Sequence, residues 1–273
     1  MSGIAGYINH NGVSPSTLLD DMSGLLKSEV YQQINNWYDE YLAVSLIHHG
    51  AINPEKQPVF NEDRTKCIVM YGEVFNNQEH KSQLMQKGHK FKHPHHNAEI
   101  CLHLYEEKGD EAFKELDGSF CIMIYHLLSH ELVLVNDRFL SHPLFYTYTK
   151  NGTLLFGTQM SSILKSSEIC RKLNMGSVYE FFNFMQVLGT KTFYKDIHIL
   201  PPASILRFKD NTLKLKTYWN MVYQEENCSE DYYVHELASS LIQSVEKCTK
   251  ENYRYGLLLS GGLDSRMILA ASK

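Results

Sequence analysis

No stretch of this chain approaches the roughly 18 to 20 consecutive apolar residues needed to cross a bilayer, and its first residues lack a charged-then-apolar leader. No basic run is present either. The 26 lysines and arginines against 31 aspartates and glutamates leave a net charge of −5, which offers no electrostatic footprint for nucleic acid. No C-x-x-C pair occurs: the six cysteines, Cys67, Cys101, Cys121, Cys170, Cys228 and Cys248, are scattered, several inside apolar runs, and read as reduced core thiols. Internal repeats and low-complexity segments are absent as well. Together these absences lead us to expect a soluble, cytoplasmic protein with no membrane and no nucleic-acid partner.

A Walker loop is also missing, and with it the lysine that would grip a terminal phosphate. What stands instead is Leu259-Ser260-Gly261-Gly262-Leu263-Asp264-Ser265, preceded by the hydrophobic run Tyr255 to Leu259 and followed by the apolar stretch Met267 to Ala271. This layout predicts strand, glycine turn and helix start. Backbone amides and the positive end of the helix dipole then face an anion, and Ser260 and Ser265 add hydroxyl donors. Gly261 and Gly262 allow close backbone approach, while Asp264 can organise Mg2+ beside a pyrophosphate. ATP and Mg2+ are the expected cofactors; an ordinary Gly-Gly turn is the bland alternative. Lys273 follows Ser265 by only eight residues, and a parallel nucleotide-binding sheet needs several strand and helix units. The chain therefore reads as the N-terminal fragment of a longer protein, expected to be inactive as an ATP enzyme by itself.

At 273 residues there is room for one full domain and part of another. Short apolar strands are expected over Ile4–Ile8, Leu42–Ile47, Cys67–Tyr71, Ser119–Tyr125, Glu131–Val135, Leu144–Tyr148 and Leu154–Gly157. Helices are expected over Gln78–Lys87, Ala98–Lys108 and Ser177–Met185. Strands and helices gathered in separate stretches argue for an α+β layered sandwich over residues 1–210, not a βαβ repeat. Residues 211–233 turn polar and read as a connector. Beyond them Leu237, Leu241, Ile242 and Val245 recur at helical spacing, which places the start of a second domain at 234.

Ser2-Gly3-Ile4-Ala5-Gly6, His48-His49-Gly50, Tyr71-Gly72-Glu73-Val74-Phe75-Asn76, Ala98-Glu99, Leu116-Asp117-Gly118-Ser119-Phe120, Asp137-Arg138-Phe139, Pro143-Leu144-Phe145-Tyr146, Leu200-Pro201-Pro202, Tyr218-Trp219 and the Ser-Gly-Gly-Leu-Asp-Ser turn follow one another along nearly the whole chain. In this order they resemble the asparagine synthetases. The resemblance implies an N-terminal class II glutamine amidotransferase-like domain with a four-layer αββα fold of the N-terminal-nucleophile-hydrolase type. It also implies the truncated start of an α/β ATP-pyrophosphatase domain. In that family an N-terminal cysteine, exposed by removal of the initiator methionine, hydrolyses glutamine, and ammonia passes to the second domain.

Several positions depart from that pattern. Ser2 stands at the nucleophile position, and a hydroxyl is far less ionised than a thiol at neutral pH. His49 stands where the pattern has arginine and cannot supply a charged bidentate fork for a carboxylate. Tyr71 stands where the pattern has asparagine as oxyanion donor, a loss worth about 100 to 1,000-fold. Asn97 replaces an aspartate that would pair with the ammonium group of glutamine. Gly72 and Glu73 are retained. We therefore expect a glutaminase-silent domain, with a serine hydrolase of another amide and a working glutaminase as the weaker readings.

Three further constellations carry quieter expectations. His93, His95 and His96, with Glu99 nearby, have the residue types of a zinc or nickel site, but adjacent histidines alternate in direction and a solvated loop is the favoured reading. Asp137-Arg138 is expected to form a structural ion pair or turn. The 17 tyrosines and 13 phenylalanines are spread through strand segments and are expected to pack the sheets. For the intact protein the resemblance implies an ATP-dependent amide-forming ligase acting on small-molecule or peptide carboxylates and amines, as in β-lactam synthetases and lasso-peptide cyclases. Leu259 to Ser265 would hold pyrophosphate, and Asp264 would hold Mg2+. A homodimer is left open. The alternatives are a non-catalytic scaffold or regulatory chain and a glutamine-hydrolysing asparagine synthase.

Overall fold

The computed structural model describes residues 2–12, 17–93, 95–249 and 255–272. It divides into two compact units, 1–220 and 221–273. The first unit runs β1 (Gly3–Asn9), α1 (Thr17–Leu26), β2 (Gln33–Tyr38), β3 (Leu42–His48), β4 (Val59–Phe60), β5 (Lys66–Val74), α2 (Asn77–Gln86), α3 (Asn97–Lys108) and α4 (Ala112–Glu115). It continues with β6 (Gly118–His126), β7 (Glu131–Asn136), β8 (Phe145–Tyr148), β9 (Thr153–Gly157), α5 (Met160–Ile163), α6 (Met175–Phe184), β10 (His198–Ile199), β11 (Ser204–Lys209) and β12 (Thr212–Thr217). Two six-stranded sheets result, ordered β10-β8-β9-β1-β3-β2 and β12-β11-β7-β6-β5-β4.

Strand alternation builds the layers. In β1, Ile4 and Ile8 face the second sheet, packing with Val69, Met123 and Leu134. Ala5 and Tyr7 face the other way, against Leu19, Met22 and Leu26 of α1 and Ile163 of α5. In β5, Cys67 and Val69 belong to the core between the sheets, while Ile68 and Met70 pack under Leu84 of α2 and Ile100 and Leu104 of α3. Period-two side chains that are apolar on both faces require cover on both faces. The order helix, sheet, sheet, helix follows, and it is the αββα sandwich expected. Each fully buried Leu, Ile or Phe in these three cores contributes about 1.5 to 3 kcal/mol.

Two expectations need correction here. The polar stretch from 211 does not begin a connector: Thr212–Thr217 is β12, an edge strand paired in register with β11, and the first unit runs to 220. Leu213 and Leu215 alternate with Lys214 and Lys216, the charged pattern of a strand with one open edge, which makes it look like a linker in sequence. The core-thiol reading holds for Cys67, Cys101 and Cys121, whereas Cys170, Cys228 and Cys248 are exposed; none of the six forms a disulfide among the described residues.

The second unit contains α7 (Glu230–Cys248) and α8 (Leu263–Ala271). Ser229 caps α7, its side chain accepting from the Tyr232 amide, and Glu230 and Asp231 complement the dipole in the first turn. Tyr255 to Leu259 carries no strand, contrary to expectation. A parallel strand exists only by pairing, and the described residues of this unit offer it two helices and no neighbouring strand.

Candidate functional site

β1 starts one residue after Ser2, and the close approach of another strand's end fixes that start. A Cβ on Gly3 would fall 1.8 Å from Thr158 Oγ1, so only glycine fits beside Ser2. The Gln32 carboxamide Nε2 donates to Ser2 Oγ at 2.9 Å. Its orientation is set, because Gln32 Oε1 accepts from the amides of Ser28 and Glu29 at 2.8 and 3.0 Å. Tyr71 also shares a side-chain hydrogen bond with Ser2; burial pushes its phenol up in pKa and that hydrogen bond pulls it back. Met1, whose removal would free the Ser2 amine, lies outside the described residues.

A cavity of about 290 Å3 opens beside Tyr71, lined by His48, His49, Asn53, Gly72, Glu73, Ser119 and His142 among others. Gly72 makes it possible: its φ is +109°, and a Cβ there would fall 2.1 Å from the Ser119 carbonyl oxygen across the β5–β6 pairing. His142 Nε2 lies 3.1 Å from Ser119 Oγ, and its ring meets the Tyr71 ring edge-on at 4.8 Å. Burial holds His142 below the ordinary imidazole pKa, opposed by Asp137. His48 is lowered too, by burial and then by neighbouring His49. His49 itself is exposed, with its ring 5.5 Å from that of Tyr31. Neither lysine nor arginine lines the cavity among the described residues.

Asn97 does not line this cavity; it sits behind it. Its backbone amide and Nδ2 both donate to Asn53 Oδ1 at 2.9 Å, and its Oδ1 accepts from the Val74 amide and Asn77 Nδ2 at 3.3 and 3.1 Å. Asn53 in turn donates to the Gly72 carbonyl at 3.0 Å. The structure thus brings Ser2, His49, Tyr71, Gly72 and Glu73 to one region and spends Asn97 on holding its wall.

In the second unit the Ser-Gly-Gly-Leu-Asp-Ser segment closes on itself. The Ser260 amide donates to Ser265 Oγ at 3.1 Å, the two hydroxyls are 2.9 Å apart, and the Gly262 amide donates to Ser260 Oγ at 3.2 Å. α8 begins at Leu263 with Gly262 as its cap and no capping side chain, and Asp264 lies in its first turn. The first-turn amides have no side-chain acceptor from that cap, the donor chemistry an anion would use.

Residues 1–219 match the family described as glutamine amidotransferase domain, and residues 236–273 match that described as asparagine synthase. The chain belongs to the glutamine amidotransferase domain family. It is 25% identical over its full length to asparagine synthetase [glutamine-hydrolyzing] 1 of Bacillus subtilis, covering 44% of that relative. It is 30% identical over 78% of its length to asparagine synthetase [glutamine-hydrolyzing] 2 of the same organism, covering 30% of it. The Escherichia coli asparagine synthetase B is 25% identical over 81% of this chain and 35% of its own length. The chain thus spans less than half the length of these curated relatives. A solved glutamine phosphoribosylpyrophosphate amidotransferase from B. subtilis, complexed with ADP and GMP, superposes with a TM-score of 0.57 at 14% identity. It covers 92% of this chain and 59% of the other, and it supports the fold alone.

Within this amidotransferase fold the histidine loop does not converge as its residue types suggested. Glu99 accepts from the backbone amides of Lys92 and His93 at 2.7 and 2.8 Å, so its carboxylate caps the loop instead of ligating. His95 is exposed, while His96 is fully buried with neither ring nitrogen hydrogen-bonded. Asp137 and Arg138 are not paired to each other. Asp137 accepts from the amides of Phe120, Phe139 and Ser141, a turn built around one carboxylate, and Arg138 donates to the Lys114 carbonyl and lies over Trp219.

Gln32, Asn53, Gln57 and His142 escaped sequence reading. Gln57, buried, pairs like a strand residue with Met70, its Nε2 donating at 3.1 Å and its Oε1 accepting at 2.7 Å. Carboxamides in loops carry no periodic signal. His142 directly precedes the Pro143-Leu144-Phe145-Tyr146 stretch, the one clue to it.

Proposed function

We propose that this chain is the amidotransferase-like part of an ATP-dependent amide-forming ligase, and that its first unit no longer hydrolyses glutamine. The observation that carries the proposal is the cavity lining, which holds no lysine or arginine among the described residues. An α-carboxylate entering there meets the imidazoles of His48, His49 and His142, with burial lowering the pKa of the first and last, and the carboxylate of Glu73. None of these gives the bidentate cationic grip that an amino-acid carboxylate requires. Ser2 accepts a hydrogen bond from Gln32, which draws electron density from the oxygen that would have to attack.

ATP, where bound, supplies the phosphorus electrophile that activates a substrate carboxylate. Ser260, Gly261, Gly262 and Ser265, with the first amides of α8, would hold the departing pyrophosphate, and Asp264 would hold Mg2+. The amine would come from the substrate or as free ammonia. The likeness of residues 236–273 to asparagine synthase supports this reading. Incubating the purified chain with glutamine and measuring glutamate tests the first half: a rate equal to that of Ser2→Ala is expected, and a rate well above it overturns the proposal. Pyrophosphate release by the full-length protein with a panel of carboxylates tests the second half; none with any carboxylate favours the non-catalytic scaffold.

A further inference from the structure

Away from the cavity, a second group of side chains converges from three separate segments. Glu62 lies in the turn between β4 and β5, His89 follows α2, and His103 lies on α3. We propose that these three residues bind one divalent cation of the zinc class. One ligand atom from each lies within 4.8 Å of the other two, and the imidazole rings are 4.7 Å apart.

Hydrogen bonding decides which nitrogen each ring can offer. His103 Nδ1 lies 3.1 Å from Glu106 Oε2, and a carboxylate only accepts, so in the neutral ring Nδ1 carries the proton. The lone pair is then on Nε2, and that atom is buried with no hydrogen-bond partner; Glu62 Oε2 lies 3.9 Å from Nδ1, so its carboxylate must move round the ring to share a cation with Nε2. His103 is only 2% exposed, so Nε2 is an unmet acceptor in the interior of the fold. His89 Nε2 lies 3.1 Å from Glu107 Oε1, which by the same argument leaves its lone pair on Nδ1. Imidazoles whose second nitrogen donates to a carboxylate are oriented and made more basic, the outer-shell arrangement of metal-bound histidine.

The surrounding charges fit. Glu106 is fixed by Asn61 Nδ2 at 2.6 Å and lies 3.7 Å from Lys66, and Glu107 is bound by Lys87 at 2.5 Å. Two lysines thus offset the two orienting carboxylates and leave Glu62 as the uncompensated anion. Two imidazoles and one carboxylate suit borderline cations such as Zn2+ and are too few oxygens for Ca2+ or Mg2+. Ligand atoms around Zn2+ sit nearer to one another than 4.8 Å, so the site must contract; Glu62, more than half exposed, is free to swing in.

The test uses the whole chain, with its accessible thiols alkylated so that exposed Cys170, Cys228 and Cys248 take no metal. Zn2+ is titrated against a chromogenic chelator. One equivalent should bind, and His89→Ala and Glu62→Gln should each weaken it about tenfold or more, whereas His95→Ala should not. Glu106→Gln should weaken it while leaving the stoichiometry unchanged, the result expected of a positioning residue. Because His103 is buried, the decision rests on the two more exposed variants. Binding by His89→Ala and Glu62→Gln equal to that of the unaltered chain, or no bound equivalent at all, overturns the proposal.

Discussion

His96 offers a direct measure of how firmly the site wall is packed. It is fully buried, neither ring nitrogen has a hydrogen-bond partner, and its nearest carboxylate oxygen, on Glu55, is 3.8 Å away. Burial lowers its pKa from 6.5 to about 4, opposed by Glu55 and then by Glu99. The unfolded chain therefore binds a proton between these values that the folded chain refuses, so the stability is present above pH 6.5 and is lost as pH falls towards 4. Integrated between about pH 7.5 and about pH 5, the loss from this one group is about 2 kcal/mol. His48, His126 and His142 are lowered as well and add to the slope in the same direction. The contribution of His96 is isolated by comparison with His96→Gln. Urea unfolding at both pH values should show the variant losing about 2 kcal/mol less than the unaltered chain over this interval. Equal losses, or an imidazole proton resonance titrating at or above 6.5, would refute the claim that His96 is held neutral by its surroundings.

Two further outcomes follow from the site's wall. Gly72→Ala places a Cβ 2.1 Å from a backbone oxygen at a φ of +109° and should destabilise by about 2 to 5 kcal/mol in urea unfolding; a loss under about 1 kcal/mol would mean β5 and β6 part freely. Asn97→Asp sets an anionic oxygen against Asn53 Oδ1 in place of the Nδ2 donor 2.9 Å away, and should cost about 2 to 4 kcal/mol near neutral pH. That carboxyl is held above its ordinary pKa in the folded state, so the deficit should shrink as pH falls, and a pH-independent deficit would contradict the contact.

The central strands and long helices were legible because they satisfy two periodic rules at once. β1, β3, β5, β6 and β7 are apolar on both faces, and α3 is flanked by charged residues at its exposed end. Most strands that escaped lie at the edges of the sheets, although β11, buried and paired on both sides, escaped as well. Gln33–Tyr38 is polar and largely exposed, and β12 carries alternating lysines, because an edge strand has one side with no core to specify it. α1, by contrast, has four buried residues but lies between polar segments that hide its start. Tyr255 to Leu259 shows the opposite failure: local composition favours a strand, and no partner stands beside it among the described residues.

At the site, Ser2, His49, Tyr71 and Asn97 were singled out in sequence, but the carboxamide network behind the cavity was not. An arginine and an aspartate facing a pocket each need a counter-charge, which a bound amino acid provides and an empty pocket does not. A carboxamide carries both a donor and an acceptor, so carboxamides can satisfy one another without a ligand. Asn53, Asn77 and Asn97 do so here, and Gln57 does the same with the backbone of β5. These carboxamides therefore brace the wall without substrate, while His96 beside Asn97 keeps both ring nitrogens without a hydrogen bond. Because Asn97 sits behind the cavity and faces Asn53 Oδ1, an aspartate at that position should destabilise the fold without presenting a charge to the cavity.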